Sequence, residues 1–125
     1  MKRSISLVVV IALCVLFMSS AFASTVEFSY DGSGSSFVRW SETTTSVGTD
    51  WKVSSWETSN LSPTRTVDVK IYHAPGVYAS HTFTYDHTST DPHGYTAYSN
   101  GQAVYMAGHK KSGSGNVIVS GYFEP

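Results

Sequence analysis

The chain has 125 residues, with eight Lys and Arg against nine Asp and Glu, a net charge of −1, and only 14% of its positions charged. No basic stripe runs along it, which disfavours nucleic acid and anionic membrane as primary partners, because both are held through Lys and Arg. Its single cysteine excludes an intramolecular disulfide, so packing alone must hold the fold.

In chain order, Lys2 and Arg3 precede an apolar run from Leu7 to Met18, and Ala21-Phe22-Ala23 gives a small-x-small cleavage pattern before Ser24. This reads as a secretory signal peptide over residues 1–23, leaving one domain over residues 24–125. The apolar run makes roughly 18 Å of helix, short of the roughly 30 Å hydrocarbon core, so stable membrane insertion is not expected. Without Lys2 and Arg3 the exported chain carries six basic and nine acidic residues, a net charge of −3, and it is free of cysteine because Cys14 leaves as well. Its aromatic side chains are the expected core, each worth roughly 2 kcal/mol when buried.

Val26 to Tyr30 alternates as a first strand, Asp31 to Ser36 is a turn, Phe37 to Trp40 a short strand, and the polar Ser41 to Asp50 a loop or ragged edge. Trp51 to Trp56 follows as a strand with Trp51, Val53 and Ser55 on one face and Lys52, Ser54 and Trp56 on the other. Asn60 to Thr64 breaks the pattern. Arg65 to Tyr85 is then the organising hairpin: Val67, Val69 and Ile71 alternate with Thr66, Asp68 and Lys70, and after Pro75-Gly76 a second arm sets Val77, Ala79, His81, Phe83 and Tyr85 against Tyr78, Ser80, Thr82 and Thr84. Asp86 to Gly94 is a connection, Tyr95 to Tyr98 and Gln102 to Ala107 are strands, Gly108 to Asn116 a glycine-rich loop containing Lys110-Lys111, and Val117 to Phe123 the last strand. About seven short strands, with no helical spacing, predict an all-β fold, a small antiparallel β-sandwich.

Chemistry-bearing motifs are sparse. His81, His87 and His93 fall close together with Asp86 and Asp91, the one grouping that imidazole-ligated zinc or copper would use. His81 and His87 are nevertheless about 20 Å apart along an extended strand, so no metal or other cofactor is expected. Gly113-Ser114-Gly115 lacks the spacing of a nucleophile elbow, no cysteine nucleophile survives export, and no two carboxylates are singled out as an acid–base pair. The chain reads as a binding protein and not an enzyme. Trp56 and Tyr78, opposite the apolar sets of their strands, are the expected exposed aromatics, with Tyr95 and Tyr98 as further binding candidates.

Arg39 with the threonines at 43 to 45, Trp51-Lys52-Val53, Tyr95-x-Ala97-Tyr98 and the closing Val119-Ser120-Gly121-Tyr122-Phe123-Glu124 resemble a family of small exported proteins of unknown function from Gram-positive bacteria. More distantly, the arrangement is similar to the lactococcin-type bacteriocins. That resemblance implies a secreted, cysteine-free β-sandwich that binds a cell-envelope component, there the lipid-linked precursor of the wall. An acidic protein has no net attraction to an anionic precursor, so aromatics and backbone donors would carry the contact. The alternatives are an extracellular structural or adhesive module that self-associates through edge strands, and a cell-wall glycan-binding module.

Overall fold

The computed structural model describes residues 25–74, 76–96 and 101–125. The expected signal peptide (residues 1–23), Pro75 of the hairpin reversal, and Tyr98 lie outside the described residues. The strands are β1 (Val26–Gly32), β2 (Val38–Arg39), β3 (Thr44–Thr45), β4 (Asp50–Ser59), β5 (Thr66–His73), β6 (Val77–Tyr78), β7 (Phe83–Tyr85), β8 (His93–Gly94), β9 (Ala103–Ser112) and β10 (Val117–Glu124), with no helix among the described residues. They form two antiparallel sheets. The first has the order β1-β10-β4-β8, and the second places β9 and β5 at its centre, with β2 and β3 outside β9 and β6 and β7 outside β5. The expected antiparallel β-sandwich is the fold.

Alternation makes the sandwich. Val117, Val119, Gly121 and Phe123 of β10 point inward while Ile118, Ser120 and Tyr122 do not, and Val67, Val69 and Ile71 of β5 face them from the other sheet. Phe28, Trp51, Val53, Tyr85, Val104 and Met106 complete one core shared by both layers. Packing of inner faces in this way is what a disulfide-free domain of this size relies on.

Both edges of the second sheet are interrupted in the same manner. From Arg39 to Thr44 the edge chain spends four residues where β9 spends two, and from Tyr78 to Phe83 it again spends four where β5 spends two. Each interruption leaves a central-strand N–H without its ladder partner, and each supplies a buried serine hydroxyl instead. Met106 N donates to Ser41 Oγ and Ile71 N donates to Ser80 Oγ, both at 3.0 Å. Met106 and Ile71 are themselves opposite one another in register, so the centre of the sheet is closed symmetrically from its two edges. Bulged, short edges of this kind also discourage addition of a further strand.

Three expectations are corrected. The region from Gly108 is strand and not loop: β9 continues to Ser112, which brings His109, Lys110 and Lys111 into the sheet. Gly108 is there because the ring of Trp40 occupies the space a Cβ would need, with the Asp68 carbonyl only 2.6 Å from that position. Trp56 does not face outward. In the pairing of β4 with β10, Ser54 and Glu57 are skipped, so the first bulge shifts the alternation by one and puts Trp56 opposite the inward Gly121. Finally, Tyr95 and Thr96 of the strand expected at Tyr95 to Tyr98 are not in a strand, and pairing occurs instead at His93–Gly94 against Trp51 and Asp50; residues 97 and 98 lie outside the described residues.

Candidate functional site

The outer faces of the two sheets differ in kind. Across the first sheet the outward rows read Ser29, Ser120, Thr58 and Glu27, Tyr122, Ser55, with Lys52 and Glu124 paired at 3.7 Å. This face is mostly polar, with Tyr122 and the exposed Ile118 as isolated larger side chains. The second sheet instead carries a ladder of aromatics and cations built on its central strands.

The ladder follows from register. Tyr105 of β9 lies opposite Tyr72 of β5, which lies opposite Tyr78 of β6, so three tyrosines cross the sheet in one row. Tyr72 and Tyr105 stack at 5.5 Å with their planes 8° apart. Neighbouring strands are about 4.8 Å apart, so stacked cross-strand rings stand upright and show their edges and hydroxyls to solvent, not their faces. The next row is Arg39, Ala107, Lys70. Arg39 lays its guanidinium 3.8 Å over Tyr105, and the Lys70 ammonium sits 4.3 Å from the Tyr78 ring and 5.8 Å from that of Phe37. Ala107 faces outward between them yet is only 3% exposed, because the flanking long side chains cover it. Tyr78 is 60% exposed at the end of its row.

One end of the ladder is electrostatically closed and the other is open. Asp68 accepts from the Thr84 hydroxyl at 2.6 Å, and lies 3.5 Å from Lys111 and 3.7 Å from His109. Phe37 meets the His109 ring edge-on at 4.6 Å. Neither Arg39 nor Lys70 has a carboxylate within ion-pair distance among the described residues. Burial and the neighbouring Tyr105 push the Tyr72 hydroxyl above its ordinary pKa, so it is a neutral donor at any physiological pH.

Beside Arg39 the sheets meet at a groove of about 440 Å³ lined by Glu27, Phe28, Ser29, Arg39, Trp40, Ser41 and Glu42. It forms where the interrupted edge leaves the second sheet: Ser29 N donates to Trp40 O at 3.1 Å, and Phe28 pairs with Ser41. Phe28, Tyr30 and Trp40 stack beneath it.

Of the binding candidates read from the sequence that lie among the described residues, Tyr78 alone joins the ladder, Tyr98 lying outside them. Trp56 packs edge-on against Phe28 and Tyr85, and its indole N–H donates to Ser89 O at 2.9 Å. Tyr95 packs on the core, and its buried hydroxyl has no protein partner and a pKa raised by burial. The metal grouping is dispersed: His81 is exposed, His87 pairs with Asp86, and His93 is half-buried. Among the described residues no three His, Cys, Asp or Glu side chains are placed to hold a metal ion. Phe37, Arg39, Lys70, Tyr72, Tyr105 and His109 were not read as binding residues from the sequence, Arg39 entering only through the family resemblance. The signal for Tyr72 is its place two residues beyond Lys70 and four beyond Asp68 on the wet face of β5.

His93 has a structural role with a readable consequence. It stacks on Phe83 at 3.9 Å, lies 5.0 Å from Trp51, and places Nε2 3.0 Å from the Tyr85 hydroxyl. Burial pushes its pKa down, against an opposite pull from Asp91. The folded state therefore favours the neutral ring, and the associated stability is present above the ordinary histidine value and is lost as pH falls through the lower folded one. The melting temperature is expected to fall between about pH 7 and about pH 5, and His93→Gln should lose part of that fall. An acid limb of the same depth in both proteins would refute this role.

No family model, curated protein or solved structure matches the chain.

Proposed function

We propose that this chain is a secreted, non-enzymatic binding protein that acts on the bacterial cell envelope in a bacteriocin-like way, with the outer face of its second sheet as the recognition surface. The observation that carries this reading is the difference between the two outer faces. Stability alone asks nothing of an outer face beyond solubility, and the first sheet meets that need mostly with Ser, Thr and charged side chains, with Tyr122 and Ile118 standing singly among them. The second sheet instead keeps Tyr72, Tyr78 and Tyr105 beside Arg39 and Lys70, and tyrosine and arginine are among the residue types that dominate binding energy at protein surfaces. The rival reading, a structural or adhesive module, would need a long open edge. Here β2, β3, β6, β7 and β8 are two or three residues long, and β1 is partly covered through Ser41.

The test is binding of purified protein to isolated Gram-positive envelopes, comparing wild type with Tyr78→Ala, Tyr105→Ala and with Ile118→Ser on the opposite sheet. Saturable binding should weaken at least tenfold in the tyrosine variant, about 1.4 kcal/mol or more. Ile118→Ser should bind like wild type. Equal binding by all three proteins would move the site elsewhere, and no binding with concentration-dependent self-association would favour the structural module.

A further inference from the structure

We infer that the ligand of this face is a sparsely charged acidic polysaccharide, its sugar hydroxyls taken by the tyrosine row and its carboxylates by Arg39 and Lys70; the inference rests on the binding reading above. Net charge conceals the face. The protein is acidic over the sequence as a whole, yet the outward side chains of β2, β9, β5, β6 and β7 include Arg39, Lys70 and Lys111 against Asp68 alone. Asp68 is engaged by Lys111, Thr84 and His109. What remains open is Arg39 and Lys70.

Both cations are held in place. Each rests against an aromatic ring, Arg39 on Tyr105 and Lys70 between Tyr78 and Phe37, so the side-chain freedom normally lost on binding is already reduced. A guanidinium lying flat on a ring still offers N–H groups along its edge, in the geometry that a carboxylate accepts. The phenols supply hydroxyls that donate and accept, as a hydroxyl-rich chain requires.

The count of groups sets the ligand's charge density. A densely phosphorylated or sulfated polymer is held by many Lys and Arg and by release of its counterions. Two open cations beside three tyrosines fit a chain that is mostly neutral hydroxyl with an occasional anion. Past Arg39, the groove carries Glu27 and Glu42, which would repel a further carboxylate and so limit the acidic stretch to the sheet itself.

The experiment measures binding of the purified protein to lightly carboxymethylated dextran, in which only an occasional sugar carries a carboxylate, and to dextran and dextran sulfate, at about 50 and about 200 mM salt, with Arg39→Gln, Lys70→Gln as the variant. The amide that Arg39→Gln introduces would keep a flat group near Tyr105 without its charge, and melting temperature checks that the variant is folded. The lightly carboxymethylated dextran should bind, weaken roughly threefold to tenfold between the two salt concentrations, and lose at least tenfold in the variant. Unmodified dextran should not bind measurably, and dextran sulfate should bind no more tightly than the lightly carboxymethylated polymer. Equal binding of dextran, preference for dextran sulfate, or an unaffected variant would each overturn the inference. Envelope binding that survives Arg39→Gln, Lys70→Gln but fails in Tyr78→Ala, Tyr105→Ala would overturn the acidic ligand and leave the binding reading standing. Failure on every polymer and every envelope fraction would overturn both.

Discussion

Gly121→Ala is expected to destabilise the domain by about 3 kcal/mol, lowering the melting temperature by roughly 12–24 °C for a domain of this size. The new methyl carbon would sit well inside contact distance of the Ser55 carbonyl oxygen and 3.1 Å from the Trp56 Cα. These are backbone atoms of the neighbouring strand, so no side-chain rotation relieves them. The close approach is the point where β4 is bulged: Gly121 lies opposite Trp56, next to the skipped Ser54 and Glu57. Without a side chain at 121, β4 comes near enough for Trp56 to fold over Phe28 and Tyr85 and close that end of the core. Gly34→Ala is the comparison, since no atom lies within 4 Å of its Cβ position. It should change stability by less than about 0.5 kcal/mol. Equal melting of the Gly121 variant and wild type would show that the two strands separate readily and that the bulge is not what holds Trp56.

That same glycine shows where a sequence is legible and where it is not. Strands β5 and β10 were readable because every second residue from Val67 to Ile71 and from Val117 to Phe123 is inward, and the extra residues of their interrupted pairings lie on the partner strands. Strand β4 was readable as a strand but not in its phase. A bulge costs one residue of parity, leaves no signature in residues as ordinary as Ser54 and Ser55, and turned an expected outer Trp56 into a core residue. Glycine carries two meanings that composition cannot separate. Gly113, with φ at +105°, marks a true reversal between β9 and β10, whereas Gly108 sits in mid-strand because Trp40 packs against it from a distant part of the chain. Reading both as loop cut β9 short, and that removed His109 and Lys111 from the outer face.

The ladder itself was hidden for a related reason. Tyr72 and Tyr78 pair within one hairpin, but Tyr105 joins their row only through the register of β9 on β5, which links residues more than thirty positions apart. A pattern within one strand gives the side of the sheet but not the neighbour. Overall charge is no guide to one face, because an acidic sum averages over the whole chain. Arg39 and Lys70 are few, but they stand together on one face, and local density governs what a ligand meets.

Trp51→Ala should be the most damaging core truncation in the chain, about 3–5 kcal/mol, while Trp51→Phe should cost far less. Trp51 is 1% exposed and lies where the two sheets lock together at one end: it meets Phe123 of β10 at 6.5 Å, Phe83 of β7 at 5.5 Å and His93 of β8 at 5.0 Å. Alanine would leave a cavity bounded by strands of both sheets, and rings this large cannot collapse into it without moving backbone. Phenylalanine keeps the edge-on contacts. It also removes an indole N–H that is buried without a protein partner, a group whose desolvation costs about 1–3 kcal/mol. The two changes partly offset, so Trp51→Phe should fall within about 1.5 kcal/mol of wild type. A functional consequence accompanies the stability loss. Phe83 anchors β7, which continues the edge strand carrying Tyr78, so Trp51→Ala should increase amide exchange in Val77 to Tyr85 before it affects the central strands β5 and β9. Uniform exchange across both sheets would mean that the domain opens only as a whole, and that the edge carrying Tyr78 has no looseness of its own. A Trp51→Phe variant as unstable as Trp51→Ala would show that the indole N–H is satisfied in solution and that its loss, not the cavity, dominates.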